Sequence, residues 1–186
     1  MLTLARVLAV VALLVLMPAI GRAQTFEFYV AIEGTKQGPF ANESIRLNRT
    51  PRLVGLNFDY LVKTPRDAAT GQISGKRQHG PVMFTKEWGA ASPQLFQALV
   101  SNETLKSVVF EFYQTNAQGA EELATMVKLT NAVISEIHQY SPETTSGSHT
   151  GAGRRQLEDV SFTFGTIEIQ HVPGKTMATD TWTALR

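Results

Sequence analysis

Hydrophobic and polar positions alternate along much of this chain. Over 52–63, Val54, Leu56, Phe58 and Tyr60 share one parity while Leu53, Gly55, Asn57 and Asp59 share the other, as in a half-buried strand. A strand is also expected at 26–32, which ends at the turn signal Glu33-Gly34. The pattern returns over 81–88 and breaks at Ser92-Pro93, which reads as a helix start with Ser92 as the cap and Pro93 at the first helical position. Leu95 with Leu99 and Phe96 with Val100 then form one apolar stripe on a helix ending near Asn102. The strands expected over 105–113 and 121–140 flank the Asn- and Gly-containing "QTNAQGA", so they make a long hairpin. In the last strand, 154–172, Val160, Phe162 and Phe164 share a face, and Ile167 and Ile169 have the opposite parity. A β-bulge at Gly165 would restore one buried face and curl the sheet.

Three stretches break the pattern. Residues 36–51 are polar with two prolines, Pro39 and Pro51, and read as a loop. Residues 64–80, "TPRDAATGQISGKRQHG", are rich in glycine and carry Arg66, Lys76, Arg77 and His79. A loop of this length in a compact domain marks a contact element. Residues 140–153 are rich in Ser, Thr and Gly and read as a further loop.

The beginning of the chain has a different character. Arg6, an apolar run over 7–20 and the small-residue pattern around Gly21 and Ala23 have the layout of a secretory signal peptide. The run falls short of the roughly 20 residues of a spanning helix, so no stable membrane anchor is expected. We expect a leader at 1–23 and one domain at 24–186; a translation start at Met17 would leave no export signal. Losing Arg6 and Arg22 with the leader moves the formal charge from +1 to −1, which provides no basic field for nucleic acid. The chain has no cysteine, hence no disulfide and no thiolate metal site.

Candidate chemistry is sparse. His79, His138, His149 and His171 lack metal-ligand spacing and read as solvated or capping side chains. No nucleophile elbow, phosphate loop or paired-carboxylate motif is present, so no catalytic residue, metal or cofactor is assigned. In the cluster Lys86-Glu87-Trp88 we expect one charged residue on each face and Trp88 covering the end of the core. Truncating Trp88 should then be severe and truncating Lys86 nearly silent. Val109, Tyr113 and Met126 fall opposite the expected core face and are candidates for a subunit interface.

The words "GKRQHGPVMFTKEWGAASPQLFQALVSNETLKSVVFEFYQTN", "VKLTNAVIS" and "LEDVSFTFGTIEIQH" occur in this order, and "FYVAIEG" precedes them. Together they resemble the haemolysin-coregulated protein (Hcp) family, tube subunits of the bacterial type VI secretion system, over nearly all of 26–182. The resemblance implies a mainly β fold, a two-sheet β-barrel with one short helix, whose copies form hexameric rings that stack into a tube. It implies that the 64–80 loop reaches a neighbouring ring, with Arg66, Asp67, Lys76 and Arg77 as stacking candidates. Asn57 and Asp59 would look into a lumen that holds secreted effectors, and the sheath and spike proteins of the system become partners. The resemblance brings a non-catalytic role, in the cytoplasm before type VI export. A genuine leader departs from that pattern and points instead to a secreted or periplasmic ring or monomer that binds a ligand or surface.

Overall fold

The structure, a computed structural model, describes residues 28–49, 51–141 and 156–182. The expected leader at 1–23 lies outside them, as do 142–153 of the last expected loop. Among the described residues nine strands form one antiparallel system: β1 (Phe28–Gly34), β2 (Leu53–Gly55), β3 (Asn57–Lys63), β4 (Gln78–Glu87), β5 (Leu105–Thr115), β6 (Glu121–Tyr140), β7 (Leu157–Thr163), β8 (Thr166–His171) and β9 (Thr176–Thr181). A single α-helix among the described residues, α1 (Ser92–Val100), joins β4 to β5.

The strands fold into two sheets because β6 belongs to both. Its first part pairs with β5 and β8 in a sheet ordered β2-β1-β5-β6-β8-β9, and its last part pairs with β7 in a sheet ordered β6-β7-β4-β3. The corner is at Asn131, whose φ of 52° puts it in the left-handed region that Asn tolerates better than most residues. Opposite that corner the Gly165 amide donates to the carbonyls of Thr130 and Asn131 at 3.0 and 3.1 Å. The irregularity expected at Gly165 is thus a change of sheet rather than a bulge within one strand. The chain leaves β7 on one half of β6 and re-enters as β8 on the other. Ile167 is buried as expected, whereas Ile169 is partly exposed, farther along β8 toward His171 and the turn into β9.

The run 52–63 divides in the same way. Two strands replace the one expected, because Leu56 stands at a second sheet change, its amide donating to the Thr85 carbonyl at 2.8 Å. The parity therefore inverts there: Leu53 and Gly55 point inward from β2, Phe58 and Tyr60 from β3, and Val54 with Leu56 are only half-buried. Gly55 is required by packing, since a Cβ at this position would lie 2.2 Å from the Phe28 ring. Between the sheets the core is dominated by phenylalanine. Phe58 makes edge contacts with Phe110 and Phe112 at 5.1 and 5.2 Å, and Phe84 stacks on Phe162 at 5.9 Å.

Helix α1 lies against β6, with Ala91, Leu95 and Ala98 fully buried. Phe96 and Val100 do not share that stripe and are exposed, since on a helix the face set by Leu95 and Ala98 continues through Leu99. Ala91, not Ser92, occupies the cap position, and the Ser92 hydroxyl is engaged elsewhere. At the other end Asn102, with φ 49°, lets the Glu103 amide reach back to the Ala98 carbonyl at 2.9 Å. The β5–β6 hairpin forms as read, its turn held by Asn116 Oδ1, which accepts from the amides of Gln118 and Ala120.

Candidate assembly surfaces

The β3–β4 hairpin carries most of the polar chemistry, and its two ends differ. At the β4–α1 end Lys86 shares parity with Val82 and Phe84 and is fully buried with them. Its Nζ donates to Glu158 Oε1 at 3.0 Å and to the Glu87 carbonyl at 2.6 Å, and Glu43 Oε1 lies at 3.0 Å. The remaining carboxylate capacity is filled by the Ser92 hydroxyl to Glu158 at 2.7 Å, Gln139 Nε2 to Glu158 at 2.9 Å and the Ala91 amide to Glu43 at 2.8 Å. One ammonium thus ties together β4, β7, the β1–β2 loop and the start of α1, with β6 joined through Gln139. Two carboxylates share it. The expected placement of one charged residue on each face holds, with Glu87 facing out, but the inward Lys86 is a fully buried cation, so its truncation is not the near-silent change expected.

Trp88 is also placed differently from expectation. The chain turns away after Glu87, so the indole is 46% exposed and is held at the surface by its Nε1, which donates to the Leu157 carbonyl at 3.0 Å. Beside it lies a cavity of about 460 Å³ lined by Ile45, Val54, Leu56, Trp88 and the carboxylates Glu43 and Glu87, among others.

At the other end, residues 64–77 form an arm that leaves the barrel. An isolated bridge between Arg66 and Ile73 extends the hairpin, and Asp67 closes the tip. Its Oδ1 accepts from the amides of Ala69 and Thr70 at 3.1 and 2.8 Å and from the Thr70 hydroxyl at 2.9 Å. Thr70 is the chief reason the Asp67 carboxyl sits below its usual pKa. Arg66 donates to the Gly71 carbonyl at 3.0 Å, while Lys76 stands exposed. The base of the arm is clamped to β9: Arg77 pairs with Asp180 and reaches the Thr181 carbonyl at 3.4 Å. His79 is buried there rather than solvated. Its Nδ1 meets the Tyr60 hydroxyl at 2.7 Å, and its ring packs against Phe164 and Trp182. His79 Nε2 lies 3.3 Å from Asp180 Oδ2 but makes no hydrogen bond there. Burial would raise Asp180, but Arg77, the Thr181 amide and His79 hold it below the usual carboxylate range.

The outer faces of the two sheets are unlike. On the β6-β7-β4-β3 sheet the outward row runs Asn57 opposite Thr85 opposite Asp159, and Asp59 opposite Met83 opposite Ser161. It is mostly small or polar, and Thr85 donates to Asp159 at 2.5 Å. Asn57 and Asp59 thus stand together, exposed, on this face. On the other sheet Val109 lies between Ala31 and Lys128, and Met126 between Glu111 and Gln170, all half-buried on the outer side. Tyr113 belongs to a separate cluster. The Arg49 guanidinium sits 3.7 Å from the centre of its ring, its hydroxyl donates to Glu111 at 3.2 Å, and Arg52 holds Glu111 at 2.9 and 3.1 Å. No spacing rule could have paired Arg49 or Arg52 with the far end of β5. Among the described residues no three His, Asp or Glu side chains gather to hold a metal. No helix among them is long and apolar enough to cross a membrane.

The comparisons with known proteins agree with this architecture. A family model described as "Type VI secretion system effector, Hcp" matches residues 31–171. The "Major exported protein" of Pseudomonas aeruginosa is 34% identical over 163 residues, covering 83% of this chain and 94% of that protein. Among solved structures, one described as "Crystal structure of Hcp protein" superposes with a TM-score of 0.75 at 25% identity, covering 84% of this chain and 99% of its own. The "Secreted protein Hcp3 from Pseudomonas aeruginosa" superposes at 0.68 with 30% identity, covering 85% and 99%. The mainly β, antiparallel two-sheet arrangement with one helix is thus the Hcp fold, and the chain belongs to the Hcp family of the type VI secretion system.

Proposed function

We propose that this chain is a non-catalytic tube subunit of the type VI secretion system, forming homohexameric rings that stack, conduct secreted effectors and are themselves exported. The observation that carries this reading is the contrast between the two outer sheet faces. The face with Asn57, Asp59, Thr85 and Ser161 suits a wetted lumen that holds cargo loosely. The face with Val109 and Met126 offers apolar area to a neighbour, and the loop side of Tyr113 adds to that boundary. A ring is a closed set of head-to-tail contacts, so each subunit presents two different surfaces, as this barrel does. The arm, with Arg66, Asp67, Lys76 and Arg77, provides the axial contact between rings, and the sheath and spike proteins are the outer and terminal partners. The test is light scattering of the chain from Gln24 onward at micromolar concentration. A mass of six chains is expected, and a species of single-chain mass alone overturns the reading.

A further inference from the structure

We infer that the cavity beside Trp88 is a binding site for a small organic ammonium, an alkyl chain that ends in a positively charged amine. The site stands apart from the surfaces assigned to assembly: its lining shares no residue with the row of Asn57 and Asp59, with Val109, Met126 and Tyr113, or with the arm. At about 460 Å³ it has the size of a small-molecule pocket, and it is built like one, with an apolar wall and a few polar groups. Ile45, Val54 and Leu56 supply the wall. Ile45 is 97% exposed, so the pocket opens to solvent and leaves apolar surface for a ligand to cover.

The rest of the lining selects the charge. Its charged residues among those described are two carboxylates, Glu43 and Glu87, and beside them stands Trp88, the aromatic side chain that attracts an ammonium most strongly. The indole is fixed by ring and backbone together. Its Nε1 donates to the Leu157 carbonyl at 3.0 Å and the Trp88 amide donates to the Gln156 carbonyl at 2.9 Å. Glu43 is held as firmly: its Oε1 meets Lys86 Nζ at 3.0 Å and accepts from the Ala91 amide at 2.8 Å. Gly89 makes room for that oxygen, since a Cβ there would lie 2.5 Å from it. The neighbouring Asn42 pins the loop, its Oδ1 accepting from the Ser44 and Arg52 amides at 3.3 and 2.9 Å. Lys86 itself is fully buried, shared with Glu158 and outside the lining, so a ligand meets the carboxylates and not the ammonium. The site is therefore formed before a ligand arrives, which spares the cost of ordering it on binding. An anion would face two carboxylates, and a neutral chain would leave the carboxylates and the indole face unused. An alkylammonium meets wall, ring and carboxylate at once.

Titration calorimetry of the purified protein with hexylammonium tests the site, with 1-hexanol and hexanoate as probes of the same chain length. Hexylammonium is expected to bind at least about tenfold more tightly than hexanol, the effect of a charge-assisted hydrogen bond, and hexanoate more weakly than either. Two variants locate the site. Glu87→Gln keeps the shape and removes the charge, and Trp88→Leu keeps apolar bulk and removes the ring. Each should weaken hexylammonium at least about threefold. Glu87 is exposed, so its variant should keep the parent melting temperature, and it carries the test alone if Trp88→Leu proves unstable. Equal binding of amine and alcohol overturns the ammonium site and leaves only an apolar cleft. Amine binding that both variants retain in full puts the ligand elsewhere and overturns it too, as does the absence of measurable binding. Each of these results is independent of the ring mass, so the tube reading stands or falls separately.

Discussion

At one end of the β3–β4 hairpin the charged groups are buried and shared among distant segments; at the tip of the arm beyond the other end Asp67 is exposed and satisfied within a single turn. Lys86 is held by Glu158, Glu43 and the Glu87 carbonyl, so its loss would leave two carboxylates without their cation. Asp67 is held by Ala69 and Thr70, its near neighbours, so its loss would release only a turn. Equal numbers of hydrogen bonds can therefore have unequal consequences. A bond within one turn orders a few residues, whereas a buried charge shared by four segments makes each depend on the others.

The largest effect follows from the locked end. Lys86→Ala should destabilise the chain by about 3–5 kcal/mol, the usual result of removing one partner from a buried ion pair. Trp88→Ala should cost less, about 1–2 kcal/mol, because the indole is partly exposed and gives up one hydrogen bond and modest apolar burial. Urea unfolding of the two variants at pH 7 checks this order. A Trp88 variant as unstable as the Lys86 variant would mean that the tryptophan, not the ammonium, holds this end together.

These residues also show what the sequence could and could not reveal. The fold class was legible: alternation, the Ser-Pro helix start and the hairpin turn pointed to a mainly β chain with one helix, and the family words implied the two-sheet arrangement. Alternation even placed Lys86 on the parity of Val82 and Phe84. A lysine on an apolar parity normally means that the strand has ended, and nothing local distinguishes that case from one in which a buried carboxylate waits on β7. Glu158 and Glu43 are remote in sequence, and only the sheet order brings them to Lys86. The sheet changes at Leu56 and Gly165 were missed for a related reason. Parity reports which face a residue takes but not which sheet it belongs to. The irregular segment 64–77 was legible as a break in the strand pattern, whereas the cavity beside Trp88 was not, because Ile45 and Trp88 come together only through the β1–β2 loop.

A middle-sized effect tests whether burial, rather than charge sharing, is what makes a locked group costly. Glu103 is buried without a cation in hydrogen-bond contact, accepting from the Lys36 and Gln37 amides at 2.6 and 2.9 Å and from Gln37 Nε2 at 3.0 Å. Burial pushes its pKa up, but the Gln37 and Lys36 amides prevail, and it lies below the usual 4.5. A carboxyl lowered in the folded state contributes stability that is full above the unfolded value and is lost as pH falls through the folded value. Glu103→Ala should therefore cost about 1–3 kcal/mol at pH 7, with the gap to the parent narrowing as pH drops below 4.5. A gap that stays constant through acid titration would show that shape rather than ionisation is what Glu103 provides.

The smallest effect on stability belongs to the free end. Deleting Ala68 to Ser74 removes the tip of the arm, where every side chain is exposed and the hydrogen bonds described are made within the arm. The clamp at its base, Arg77 on Asp180 with His79 packed beneath, lies outside the deleted segment. Little of the core depends on the tip, so the melting temperature should match that of the parent, and light scattering should give the same ring mass. Stacking should be lost, because Ile73 and the turn that presents it are gone. Electron microscopy of both proteins decides the matter. Tubes of equal length would show that the exposed end of the hairpin is dispensable for assembly. A lowered melting temperature would show that the arm is not energetically separate from the barrel, and the contrast between the two ends would fail on its own terms.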